Sequence, residues 1–70
     1  MREDSVYKFV EFVGTSKNNW EEAVKNAVNT AGKRYSDFRV GEITKLDVVI
    51  EGGRVALFRA RINISYRYHL

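Results

Sequence analysis

Residues 55–68 constrain the fold most, because they alternate. Ala56, Phe58, Ala60, Ile62, Ile64, Tyr66 and Tyr68 share one parity, and Arg59, Arg61, Asn63, Ser65 and Arg67 share the other. Successive side chains of a strand point to opposite faces, so this pattern predicts a strand with one apolar face for a core and one polar face. A second β-rich stretch runs from Phe38 to Ile50, and Glu51-Gly52-Gly53-Arg54 separates the two. A Gly-Gly pair supplies the positive φ of a tight hairpin turn. Each strand of such a hairpin would reach ~45 Å at about 3.3 Å per residue.

The N-terminal half supplies one strand and one helix. Val6, Tyr7, Phe9, Val10, Phe12 and Val13, with Lys8 and Glu11 between them, predict a strand over 5–13. Its apolar residues fall on both parities, so both of its faces need cover. Gly14 is expected to end the strand, and Thr15-Ser16 to cap a helix, with Asn18 as a competing cap. Trp20, Ala23, Val24, Ala27, Val28 and Ala31 then recur at helical spacing as one stripe. Glu21 and Lys25 form a favourable i,i+4 pair, and Lys33 and Arg34 suit the C-terminal end of the helix dipole. The alanines make the stripe flat enough to lie close on a sheet. Trp20 reads as a core residue of the first turn rather than a ligand-stacking one. Such a helix covers ~25–30 Å at 1.5 Å per residue.

The order β-α-β-β makes this an α+β chain. A helical crossover leaves the first two strands running the same way, and the third runs against both. Placing the third strand centrally, order 1-3-2, makes every neighbour antiparallel, and this three-stranded sheet packs on one helix. The hairpin then overhangs its helix. Strand two adds a second difficulty, because Val40, Leu46, Val48 and Ile50 share one parity while Ile43 and Val49 take the other. A two-residue turn at Gly52-Gly53 sends Ile43 and Val49 toward the helix; a three-residue turn or a bulge reverses the choice. Either way an apolar patch faces outward beside the arginines, which marks an interface. The chain of 70 residues, read as one domain over 1–70, has no cysteine to staple a small core. Chains this short bury only about 60% of their unfolded surface. Self-association is the remaining remedy.

Other classes are excluded or weakened. No run approaches the roughly 20 apolar residues of a membrane-spanning helix. Met1-Arg2-Glu3-Asp4 offers no apolar signal region, so a cytoplasmic location is expected. A net charge of +3 permits weak attraction to anions without demanding it. The aromatics of strand three lie on the opposite parity from its arginines, which argues against a stacking platform for nucleic acid. No Ser/His/Asp set, paired carboxylates or phosphate-cradling loop is present, and His69 is the lone histidine, at the C-terminus. An enzyme is therefore not expected.

With the elements in place, the chain resembles the dodecins. The resemblance starts at Val6-Tyr7-Lys8 and runs through the Val13-Gly14-Thr15-Ser16 junction. It continues through Trp20-Glu21-Glu22-Ala23-Val24-Lys25-Asn26-Ala27-Val28 and the long hairpin to Tyr66. It implies a three-stranded sheet wrapped partly around one helix, and twelve subunits forming a hollow shell with cubic 23 symmetry. It also implies a non-enzymatic role in binding flavins, or precursors such as lumichrome. In that family a Trp at the start of strand two stacks on the flavin, and a Gln on strand three bonds the ring edge. Those positions carry Val40 and Arg59 here. Valine has no π face, and arginine donates but cannot accept. A branch of the family without that Trp, described as calcium dodecin, is resembled at Asp37-Phe38-Arg39-Val40 and Phe58-Arg59.

The candidate site residues follow. Val40 and Arg59 hold the family's ligand positions. Arg39, Arg61 and Arg67, with Arg59, form the densest basic set and read either as an anion site or as partners for Glu42, Asp47 and Glu51. Calcium takes several oxygen ligands, and Asp47 and Glu51 are the only acids in the distal hairpin, so a site built from protein alone would draw on several subunits. The expectation is a homo-oligomeric shell that stores or buffers a small ligand, flavin-type in the family. The alternative is a structural or calcium-linked dodecamer without a specific organic ligand.

Overall fold

The computed structural model describes residues 6–68. Strand β1 spans Tyr7–Ser16, helix α1 spans Trp20–Ala31, β2 spans Phe38–Glu51 and β3 spans Arg54–Arg67. The sheet has the expected order β1-β3-β2, with both pairings antiparallel. His69 lies outside the described residues, among which no helix is long and apolar enough to cross a membrane.

The parity of β3 places the core as predicted. Ala60, Ile62 and Ile64 are buried against Ala23, Ala27 and Ala31, with Val10, Phe12, Val24 and Phe38 packed around them. Tyr35 closes the far end, its ring 5.2 Å from that of Tyr66 and 6.3 Å from those of Phe12 and Phe38.

The strand-to-helix junction corrects two expectations. Gly14 does not end β1, which continues to Ser16. Glycine is needed there because the helix comes so close: a Cβ on Gly14 would stand 2.0 Å from the Ala23 carbonyl oxygen and 2.8 Å from the Ala27 Cβ. The cap is neither Ser16 nor Asn18 but Asn19, whose side-chain oxygen accepts from the Glu22 amide at 2.6 Å. Ser16 instead donates to the Glu22 carboxylate and accepts from the Asn18 amide. The Asn18 side-chain amide donates to the same carboxylate at 2.7 Å, and the bonds from Ser16 and Asn18 hold the Glu22 carboxyl below its ordinary pKa.

The helix is also shorter than expected. Its 12 residues cover about 18 Å, and Lys33 and Arg34 lie beyond its last turn. The hairpin therefore overhangs further, and the molecule measures 56 × 20 × 16 Å.

The turn and register of β2 combine both alternatives. Glu51 pairs with Arg54 across a two-residue turn in which Gly52 and Gly53 have φ of 59° and 77°. Register shifts between Val49 and Ile50, Ile43 and Lys45, and Phe38 and Val40 then break the strict alternation. The first places Val48 opposite Phe58 and Leu46 opposite Ala60, on the helix side. The second keeps Ile43 on that side, opposite Ile62. The third leaves Phe38 opposite Tyr66 while Val40, opposite Ser65, turns away. The outward apolar patch is thus made by Val40 rather than by Leu46 and Val48.

Candidate functional site: the sheet face turned away from the helix

On this face the register lines up three strands. Tyr7 stands opposite Arg67, Phe9 opposite Ser65, Val13 opposite Arg61 and Thr15 opposite Arg59. From the other side, Val40 also faces Ser65, Lys45 faces Arg61 and Asp47 faces Arg59. Phe9 and Val40 are each 62% exposed, which is costly for side chains of this kind unless something covers them.

Two districts result. Toward the hairpin, Arg59 grips Asp47 with both prongs, Nε to Oδ1 at 2.7 Å and Nη2 to Oδ2 at 2.8 Å. That pairing holds the Asp47 carboxyl below its usual range and raises Arg59. The Asp47 backbone carbonyl accepts from the Trp20 indole at 3.0 Å, and the Trp20 ring sits edge-on to Phe58 at 5.0 Å. Trp20 is 38% exposed. It is a strut from the helix start to the overhanging hairpin rather than a wholly buried core residue.

Toward the opposite end, a pocket of about 370 Å³ is lined by Tyr7, Phe9, Arg39, Val40 and Ser65. Its floor is Ser65, buried, whose hydroxyl donates to the Val40 carbonyl at 3.4 Å. Arg39 is held by Asp37, Nη2 to Oδ1 at 2.9 Å. Asp37 itself has a φ of 61°, and its carbonyl accepts from the Arg67 amide at 3.2 Å. The Arg67 Nε is buried and has no hydrogen-bond partner among the described residues.

The candidate residues are therefore split between districts. Val40, Arg39 and Arg67 gather at or beside the pocket, whereas Arg59 and Asp47 form an ion pair further along the sheet, near Arg61. Glu51 sits at the hairpin tip opposite Arg54. Asp47 and Glu51 lie roughly 13 Å apart along an extended strand, and no group of three His, Cys, Asp or Glu side chains suited to a metal occurs among the described residues. Sequence reasoning missed Tyr7, Phe9 and Ser65 as lining residues. The signal was there in β1, whose apolar residues occupy both parities. The aromatics of β3 do lie on the helix side, as does Phe12, yet Tyr7 and Phe9 of β1 share the face of the arginines.

Comparison with known proteins decides the family. The dodecin family model matches residues 6–69. The chain belongs to the dodecin family. Among curated proteins it is 30% identical to calcium dodecin of Mycobacterium tuberculosis over 63 residues, covering 90% of this chain and 89% of that one. Among solved structures, dodecin from Streptomyces coelicolor matches with a TM-score of 0.93 at 29% identity, covering 99% of both chains. The M. tuberculosis calcium dodecin structure matches with a TM-score of 0.83 at 29% identity, covering 93% of each chain. This dodecin thus keeps the family fold while carrying Val40 and the Asp47-bound Arg59 on its outward face.

Proposed function

We propose that this dodecin is the subunit of a non-enzymatic, cytoplasmic homo-oligomeric shell, twelve copies as in the family, that binds and stores a small ligand on the outward sheet face. The observation that carries the reading is the face itself. Tyr7, Phe9, Val13 and Val40 are exposed large side chains beside a buried core of only alanines and two isoleucines. Association covers that surface and supplies the stability that a core of this size lacks.

The family's flavin contacts do not fit here. Val40 offers no ring to stack on, and both prongs of Arg59 are engaged by Asp47. Titration with riboflavin and lumichrome, read by quenching of their fluorescence, tests the point. Quenching supports flavin-type storage, and no quenching with either removes flavins from the reading.

Calcium linkage is the second reading, favoured by the similarity to a relative whose structure is described as a calcium chelating antigen with a novel calcium-binding site. The described residues of one chain do not supply such a site, since Asp47 is paired with Arg59 and Glu51 stands far from it. An ion would have to be shared between subunits. If EDTA dissociates the assembly, calcium linkage is supported; if the mass is unchanged, it is not.

A further inference from the structure

The outward face carries its charges in bands that run across the strands. Glu11 and Glu42 both stand opposite Asn63, one on each side of β3. The next band toward the hairpin sets Lys45 opposite Arg61, with Val13 on the other side. Like charges directly opposite one another on a sheet are destabilising. None of Glu11, Glu42, Lys45 and Arg61 forms an ion pair among the described residues, whereas Asp47 in the band beyond is closed by Arg59. The two bands are two residues apart along β3, roughly 7 Å at about 3.4 Å per residue. An acidic band and a basic band therefore lie side by side, and their four charges are left for something else to meet.

Lys45 belongs to the basic band only because β2 is bulged. Ile43 lies on the helix side, opposite Ile62, and strict alternation would return Lys45 to that side. The register shift between Ile43 and Lys45 takes Thr44 out of the alternation, and the Thr44 hydroxyl donates to the Arg61 carbonyl at 3.3 Å. Bulges re-aim side chains in this way.

Two operations can stack this face on a second copy of itself. A two-fold axis along the strands lays each band over its own copy, glutamates over glutamates and cations over cations. An axis across the strands, between Arg61 and Asn63, lays each acidic band over the partner's basic band. It also carries the exposed Phe9 over the partner's Thr15. Packed sheets stand about 10 Å apart, a gap that Glu, Lys and Arg side chains bridge when they extend from both sides. Such complementarity fixes register and suppresses wrong pairings more than it adds raw affinity.

We propose that two copies of this chain pack outward face to outward face about the axis across the strands, with Glu42 of each copy against the partner's Lys45 and Glu11 against the partner's Arg61. A two-fold contact makes each of these pairs twice. The inference rests on the reading of the protein as a homo-oligomer, and it names the contact that sets the register between copies.

Zero-length cross-linking of the native protein with a carbodiimide reads the contact directly. Covalent dimers on a denaturing gel should contain a Glu42–Lys45 amide, joining a light to a heavy chain when isotope-labelled and unlabelled protein are assembled together. Glu42→Lys and Lys45→Glu should each raise the concentration at which the assembly dissociates at least about tenfold, because each sets like charges together in both halves of the contact. Mixed in equal amounts, the two variants should co-assemble as the native protein does. Mixing cannot repair a defect inside either chain, so rescue locates the contact between copies. The proposal is overturned if the dimers lack the Glu42–Lys45 link, if both variants assemble as the native protein does, or if the mixture of folded variants fails to co-assemble. Where circular dichroism shows that a variant does not fold, the cross-link alone decides. A monomeric native protein would defeat the shell reading itself, whereas an intact assembly with neither the cross-link nor the charge dependence defeats only this contact.

Discussion

Arg59 and Asp47 lock together across β2 and β3, with Nε and Nη2 each donating to a different carboxylate oxygen at 2.7 and 2.8 Å. The strand segment that carries the pair also presents the Asp47 carbonyl to the Trp20 indole. The ion pair thus lies where the overhanging hairpin is anchored to the helix.

The Asp47 carboxyl is held below its ordinary value, chiefly by the hydrogen bonds from Arg59. A depressed folded-state pKa favours the folded state above the unfolded value of about 3.9, and that contribution fades as pH falls through the folded pKa. Arg59→Gln should therefore raise the Asp47 pKa toward about 3.9, as read by carboxyl-carbon NMR titration. An unchanged Asp47 titration would show that the pair does not form in solution.

Gly14→Ala tests the close approach of helix and sheet. The added methyl group meets the Ala23 carbonyl and the Ala27 side chain, and neither can move without shifting the helix. Overpacking of this kind costs about 1–3 kcal/mol, and here the upper end is expected, measured by urea denaturation. Stability equal to the native protein would mean that α1 sits further from β1 than described.

Much of this architecture was legible from sequence. The alternation of β3 gave its central position and its inner face, and the alanine stripe gave the helix seat. The junction misled because a glycine after a strand reads as a terminator, whereas Gly14 is required by a helix that is remote in sequence. The β2 face was not legible at all. Three register shifts redirect Ile43, Leu46 and Val40 independently, and a single residue of slip exchanges the two faces. Without that register, neither the Arg59–Asp47 pair nor the meeting of Phe9 with Val40 over Ser65 can be read from spacing.

Trp20 should stabilise the overhanging hairpin through its indole bond and its contact with Phe58. Trp20→Phe removes the hydrogen bond and trims the ring contact, and should cost about 1 kcal/mol. Trp20→Ala also removes the ring contact and should cost about 2 kcal/mol, less than a fully buried Trp because the ring is partly exposed. Amide exchange near Asp47 should quicken in both variants. If protection there is unchanged, the strut has no structural role.

The hairpin tip is the other uncovered region. Leu46 is 48% and Ile50 64% exposed, beyond the reach of the short helix. Leu46→Lys and Ile50→Lys should each shift the protein toward smaller species on size-exclusion chromatography, because a buried ammonium group without a partner is strongly disfavoured. Unchanged mass in both would remove the tip from the subunit interface.

A native mass spectrum of protein purified without added ligand reads subunit number and bound molecules together. Twelve chains of 8.1 kDa should appear as one assembly, with any retained small molecule visible as added mass. A stably folded monomer would rule out the shell.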